Sequence, residues 1–279
     1  MPELPEVETL RRQLAQHVAG ERIVESWADL ERITRPSVRE FVEGTEGTRI
    51  LDVCRWGKQL FMPLDSGAHL LIHLGMSGRL HLEETPHESS TEPPERKHVH
   101  AVLSLESGHR LVFTDQRTFG ELGIAPNRSF LAGKGPDPTD AAFDPEPLVA
   151  ELGRHRVKIK AALLDQRLVA GLGNIYADEV CFLAQVHPAT LACDVPEDGR
   201  RAIVAQLRPV LEQAIAAGGV TLRDGMYQDM FGTSGSYRPH VYGNVGNPCS
   251  RCGAPIDHGK LGTGKSARSY HFCPRCQIL

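Results

Sequence analysis

Four cysteines close the chain in two pairs, Cys249 and Cys252 in "CSRC" and Cys273 and Cys276 in "CPRC", with twenty residues between the pairs. A C-x2-C turn offers two sulfurs from one tight bend, and two such turns complete a tetrahedral four-thiolate zinc site. Four thiolates leave no open position for water, so one zinc ion held this way is structural and not catalytic. Disulfides, the alternative, belong to oxidising compartments, and no secretory signal pattern precedes them. Cys54, Cys181 and Cys193 stand alone in apolar surroundings and are expected to be core thiols.

The opposite end, "MPELPEVETLRRQL", is unusual in its prolines and carboxylates. Val7, Leu10, Leu14 and Val18 recur at helical spacing, and Pro5 fits the first turn of that helix, where its missing N–H costs nothing. This leaves Pro2 and Glu3 without a helical reason. Further along, Lys58 in "RWGKQLF" sits among strand residues, where a solvated lysine is the ordinary reading. "HLGMSGRL" puts Met76 between glycines, as at an exposed tip. "DQRTFGELG" offers Arg117 and Phe119, two apart after a strand and therefore on one face. With Met76 they form a set able to fill a gap in a base stack. "GLGNIYADE" places glycines ahead of a helical pattern beginning near Asn174. A lone G-x-G is usually only a turn, and the third glycine of a dinucleotide fingerprint is missing. The neighbouring "RHRVKIK", with Arg154, Arg156, Lys158 and Lys160, instead suits a phosphate grip at a helix N-terminus.

These groups need positioning elements. The 279 residues allow one large domain or two ordinary ones, and 41% apolar and 24% charged residues fit a globular protein. No run of about 18 apolar residues suggests a membrane span, so a cytoplasmic protein is expected. The net charge of −4 hides an uneven distribution. Between Tyr237 and Leu279, Arg238, Arg251, Lys260, Lys265, Arg268 and Arg275 face only Asp257, while acids crowd Glu83–Glu95, a run that reads as a solvated loop. Basic patches of this kind suit an anionic polymer.

The first half reads as short strands. "RILDVCR", "QLFMPL" and "HLLIHL" are separated by Gly, Pro or Asp, and Val99–Leu105 turns through "ESGH" into "RLVFTD" as a hairpin. An antiparallel β-sandwich with the opening helix packed on it is expected over 1–132. "AGKGPDPTD" introduces a linker (133–144). Helical periodicity then takes over in a domain spanning 145–242, where Ile203, Val204, Leu207, Val210, Leu211, Ala214 and Ile215 form one stripe. Gly218 and Gly219 stop that helix, and Pro209 should kink or break it. The weakly periodic stretch from Gly218 to Tyr242 reads as a mobile loop. A four-cysteine zinc-finger module (243–279) closes an α+β, multi-domain chain.

"MPELPEVETLRR", "HLGMSG", "GLGNIYADE" and the terminal C-x2-C…C-x2-C-Q, in this order and spanning the chain, resemble the formamidopyrimidine-DNA glycosylase family of 8-oxoguanine repair enzymes. The resemblance implies a monomeric DNA glycosylase and AP lyase of base excision repair acting on oxidised purines in duplex DNA. Pro2 matches the nucleophile once Met1 is removed, which a small second residue favours. An α-amino nitrogen, with a reference pKa of about 7.7–8.0, is partly neutral near pH 7 and can form a Schiff base. Glu3 matches the acid/base carboxylate, Lys58 a lysine that contacts lesion and phosphate, and Arg268 the zinc-finger arginine on the phosphates. Glu6 matches a carboxylate near the damaged base, and Met76, Arg117 and Phe119 the intercalating trio. Asn174 matches a phosphate-holding residue of a helix–two-turn–helix. His98, Lys160, Arg223 and Tyr242 complete the DNA-contacting set, and a lid over the flipped base corresponds to about 223–237.

The chain departs from the pattern at Thr118, where a second basic residue is common, at Val99, where aspartate is common, and in the two methionines of "GMYQDMFGTSGSY". Two rival readings follow: an endonuclease VIII-like enzyme for oxidised pyrimidines, and a zinc-dependent damaged-DNA-binding protein without catalysis.

Overall fold

The computed structural model describes residues 2–84, 97–221, 227–264 and 267–279. Arg223 and part of the expected lid fall on 222–226, and most of the acidic run falls on 85–96, all outside the described residues. The chain forms two compact units, one from Met1–Ala132 with Ala217–Ser236, the other from Gly133–Ala216 with Tyr237–Leu279. Residues 217–236, assigned on sequence to the middle domain, thus cluster with the N-terminal unit.

In the first unit helix α1 (Leu4–Val18) opens with Pro5 in its first turn. Leu4, Val7, Leu10, Leu14 and Val18 are all at most 3% exposed. Each such burial contributes roughly 1.5–3 kcal/mol against an exposed side chain. The face lies against the strands Cys54–Trp56 and Gln59–Pro63 and shares one core cluster with residues of two sheets. One has the order β1 (Ile23–Ala28), β7 (Val99–Leu105), β8 (His109–Asp115), β6 (Gly78–Glu84). The other runs β2 (Thr34–Arg35), β9 (Glu121–Ala125), β5 (His69–His73), β4 (Gln59–Pro63), β3 (Cys54–Trp56). Helix α2 (Val38–Thr45) is capped by Ser37, whose side chain accepts the Glu40 N–H.

The β7–β8 hairpin forms where expected, turning over residues 106–108. Two details differ from the sequence expectation. The sandwich is not wholly antiparallel, because the short β2 pairs parallel with β9. "RILDVCR" is not one strand: Arg49 and Ile50 form only isolated bridges with Arg22 and Leu64, Leu51 is 55% exposed, the Asp52 carboxylate takes the Val53 N–H, and the regular ladder with β4 begins at Cys54. Local side-chain bonds of this kind compete with the ladder. Cys54 is accordingly only half-buried, as is Cys193, whereas Cys181 is a core thiol.

In the second unit α3 (Pro145–Leu152), α4 (Ile159–Leu164), α5 (Asn174–Leu183) and α6 (Glu197–Ala216) surround a helical core. All seven stripe residues of α6 are buried. The helix stops before Gly218 and Gly219, both at positive φ, but runs unbroken through Pro209. Burial of Val210 and Leu211 beyond the proline holds the last turns against the lost backbone hydrogen bond. The Gly/Pro/Asp stretch is pinned to this unit: Gly135 N–H donates to Gln166 O, and a Cβ at Gly135 would meet Leu168 carbonyl carbon at 2.6 Å. The hairpin β10 (Asp257–Leu261) with β11 (Arg268–Phe272) closes the chain.

Candidate functional site

The start of α1 is a knot of charge. Glu3 is the N-cap residue, and its N–H donates to Glu6 Oε2 at 2.8 Å in a capping box. Glu3 and Glu6 are both 1% exposed, and Pro2 is buried beside them. Lys58 follows Gly57 (φ +57) in the two-residue turn joining β3 to β4. Burial pushes its ammonium below the usual lysine range, and the charges of Glu3 and Glu6 oppose that shift. Lys58 is therefore no ordinary solvated lysine. A low-pKa lysine, two carboxylates and a proline ring together can exchange protons around an electrophilic carbon.

Glu6 is more a brace than a surface contact. Its second oxygen, Oε1, accepts the Val220 N–H at 2.8 Å, and its carbonyl accepts the Tyr227 hydroxyl at 3.2 Å. Past the undescribed residues the chain is clamped again on α1: Gln13 Nε2 donates to Asp229 Oδ2 at 2.7 Å, and Met230 N–H donates to Gln13 Oε1. The described part of the expected mobile loop is thus tied at both flanks to α1, the helix that Pro2 and Glu3 precede.

At one end of the sandwich Met76 is 37% and Phe119 55% exposed, and the Arg117 guanidinium lies 4.8 Å from the Phe119 ring centroid. The same-face expectation for Arg117 and Phe119 holds. Thr118 between them has φ +52, and exposed His98 has φ +70, both in the left-handed region where side chains are strained.

In the second unit Asn174 opens α5, and its Oδ1 is buried without a hydrogen-bond partner among the described residues. That oxygen is an acceptor and calls for a donor, whereas the backbone N–H groups of a helix N-terminus are what suits an anion. Arg268 is exposed at the start of β11. Lys160, expected on sequence among the DNA-contacting residues, is 0% exposed. Its ammonium pairs with Asp178 Oδ1 at 2.7 Å and donates to the carbonyls of Asn174 (3.2 Å) and Ser269 (2.7 Å). Asp178 Oδ2 in turn accepts the His271 N–H at 2.9 Å. Lys160 and Asp178 therefore bolt the start of α5 to β11, the strand that carries Arg268. Next to it, Glu179 accepts the N–H groups of His240, Val241 and Tyr242, although burial pushes its carboxyl up to about 7. Tyr242 is half-buried, with its ring centroid 4.7 Å from that of His271. Two adjacent carboxylates in an otherwise apolar helix were the signal in "IYADEV" that sequence reasoning passed over.

The ligand atoms of Cys249, Cys252, Cys273 and Cys276 lie within 4.8 Å of one another. Cys252 and Cys273 sulfurs are 3.4 Å apart and those of Cys249 and Cys276 4.0 Å. Tetrahedral zinc with Zn–S of about 2.3 Å requires sulfurs about 3.8 Å apart, so the donor set fits a metal ion of that kind. Burial of Ile256 and stacking of Phe182 on His240 hold the module together.

Comparisons with known proteins agree along the chain. The family model "Formamidopyrimidine-DNA glycosylase N-terminal domain" matches residues 1–122, and "Formamidopyrimidine-DNA glycosylase H2TH domain" matches 134–225. A formamidopyrimidine-DNA glycosylase of Chloroflexus aggregans is 41% identical over 285 residues, covering 100% of this chain and 99% of its own. One from Cereibacter sphaeroides is 40% identical, covering 99% of this chain and 100% of its own. Among solved structures, a Lactococcus lactis Fpg variant in complex with Fapy-dG-containing DNA superposes with a TM-score of 0.89 at 33% identity, covering 100% of both chains. MutM (Fpg) from Thermus thermophilus superposes at 0.87 with 38% identity, covering 99% of this chain and 98% of that one. No described helix is long and apolar enough to cross a membrane. On identity across nearly its whole length and on two consecutive domain matches, the chain belongs to the formamidopyrimidine-DNA glycosylase family.

Proposed function

We propose that this protein is a DNA glycosylase and AP lyase of base excision repair that removes oxidised purines from duplex DNA through Pro2. The reading rests on the knot at the start of α1, where buried Pro2 precedes Glu3 and the charges of Glu3 and Glu6 act on a desolvated Lys58. With Met1 removed, the Pro2 ring nitrogen attacks C1′ of the flipped nucleotide, and the base leaves with its bonding electrons and a proton. The ring-opened sugar is then held as an iminium. Loss of a C2′ proton expels the 3′ phosphate, a second elimination expels the 5′ phosphate, and water releases the sugar remnant. Glu3 carries protons in these steps, and Lys58 faces the lesion and an adjacent phosphate. The partner is damaged double-stranded DNA, met by a monomer, with Asn174 and Arg268 gripping phosphates. The four-cysteine cluster holds one zinc ion, which orders the hairpin bearing Arg268.

Borohydride trapping tests this directly. It reduces a Schiff base to a stable amine, so the protein with a processed N-terminus should become covalently joined to an 8-oxoguanine duplex. Pro2→Gly should lose most of the trapped product and most base release. Undiminished trapping by protein that keeps Met1, in which the residue-2 nitrogen is a non-nucleophilic amide, would show the nucleophile to be elsewhere. No trapping by the wild type would leave a lesion-binding protein, and a preference for thymine glycol would move the substrate to oxidised pyrimidines.

A further inference from the structure

Asp115 is fully buried, yet no step above uses it. It stands where two crossings of the sandwich meet. Residues 74–77 leave β5 in the five-stranded sheet and enter β6 in the four-stranded one; residues 116–120 leave β8 and enter β9 in the opposite sense. Strand pairing closes both ends of this pair of crossings, His73 opposite Glu121 on one sheet and Gly78 opposite Asp115 on the other. The first crossing carries Met76 and the second carries Arg117 and Phe119.

The Asp115 carboxylate ties the two crossings together. Oδ1 accepts the Ser77 hydroxyl at 2.5 Å and the Arg117 N–H at 3.2 Å, and Oδ2 accepts the Gly120 N–H at 2.7 Å. The Arg117 N–H also reaches Ser77 Oγ at 3.2 Å, so the crossings share a hydroxyl as well. Behind them, the Asp115 N–H donates to His98 O at 2.9 Å, which connects the strained His98 to the same point. Gly75, at φ +58, lets the crossings touch: a Cβ there would lie 2.3 Å from Phe119 O. Three donors on one buried carboxylate are hard to replace, since an amide of the same shape presents its own N–H groups to one of them.

We propose that Asp115 is a positioning residue that makes Met76, Arg117 and Phe119 one preset wedge, so that the cost of ordering two loops is met before DNA arrives. This rests on the reading of those three side chains as the groups that fill the space of a flipped base. Ordering a loop upon binding costs free energy that a preset loop has already spent. The wedge matters only where a base must leave a stack, and a single strand has no stack to refill. Asp115 is therefore needed for duplex substrates and dispensable for an abasic site in single-stranded DNA.

The test compares base release from an 8-oxoguanine duplex with cleavage of a single-stranded abasic oligonucleotide, in wild type, Asp115→Asn, Ser77→Ala and Met76→Ala. Ser77→Ala removes one of the three donors without placing a new group in the core, and serves if Asp115→Asn folds poorly. Asp115→Asn should slow the duplex reaction about tenfold or more, from the loss of a hydrogen bond to a charged group. Single-strand cleavage should stay within about twofold, and Ser77→Ala should show the same split with a smaller duplex loss. Equal losses on both substrates, or none on the duplex, would overturn the proposal. If Met76→Ala alone leaves the duplex rate unchanged, the wedge reading itself fails, and Asp115 has nothing to position.

Discussion

Replacing Lys160 by methionine separates a bolt from a DNA contact. The ammonium has three acceptors around it, Asp178 Oδ1, Asn174 O and Ser269 O, and neither Lys160 nor Asp178 has exposed side-chain surface. Methionine fills similar volume but leaves the Asp178 charge without its cation and two carbonyls without their donor. Removing one partner of a buried pair costs about 3–5 kcal/mol. The two carbonyls add to this incompletely, because relaxation admits water. For a chain of this size, each kcal/mol lowers Tm by roughly 2–4 °C, so a fall of about 10 °C is expected. Circular dichroism melting measures it. DNA affinity is measured at low temperature, where the variant is folded, across about 50–200 mM salt. A lysine on a phosphate contributes about 0.9 to the slope of log K against log salt, and its loss makes the slope shallower by that much. A buried bolt makes no phosphate contact of its own, so at low temperature, where the variant is folded and Arg268 stays on β11, the slope should stay unchanged. A wild-type Tm combined with a slope shallower by about 0.9 would refute the argument.

Two further outcomes test other parts of the structure. Glu8, 8% exposed, faces Arg11, Arg12 and Arg55. Burial raises its pKa, but the three guanidinium hydrogen bonds outweigh that, holding it at about 2 against an ordinary 4.5. A depressed folded pKa gives stability that is present above about 4.5 and lost as pH falls toward 2. That contribution is at most about 3 kcal/mol, less because Arg12 is well exposed and screened. Glu8→Gln should therefore melt lower than wild type at pH 7, with the gap closing by pH 2–3; a gap independent of pH would reject the assignment. In the four-cysteine cluster, Cys273→Ser or chelation should remove the bound metal ion, whose proposed identity as zinc elemental analysis reads, and weaken duplex binding. Metal-free protein that keeps full affinity would show that the hairpin orders itself.

Much was legible in the residues alone, wherever the signal was local. The stripe from Ile203 to Ile215 is periodic because one helix face meets the core, and every member is buried. The β7–β8 hairpin was readable from alternation and a Gly-containing turn, and the four-cysteine cluster from two C-x2-C spacings. Pro209 misled, since propensity is local and the packed face of α6 overrides it. "RILDVCR" misled for the converse reason: an apolar run does not reveal that Asp52 will cap its own backbone.

The sequence by itself determined the elements, the metal-binding sulfurs and the motifs that mark the family, since each depends on spacing within a few residues. Tertiary structure alone decided which charges face solvent and which serve as struts. Lys160, at the end of a basic run, and Lys58, among strand residues, both read in the sequence as surface groups. Yet one is sealed between α5 and β11 by Asp178, and the other is desolvated beside Glu3 and Glu6. Asp115 likewise acquires its role from Ser77, 38 residues away. The physical reason is that burial and hydrogen-bond partners are set by distant segments brought together on folding, and those terms control what an ionisable side chain can do.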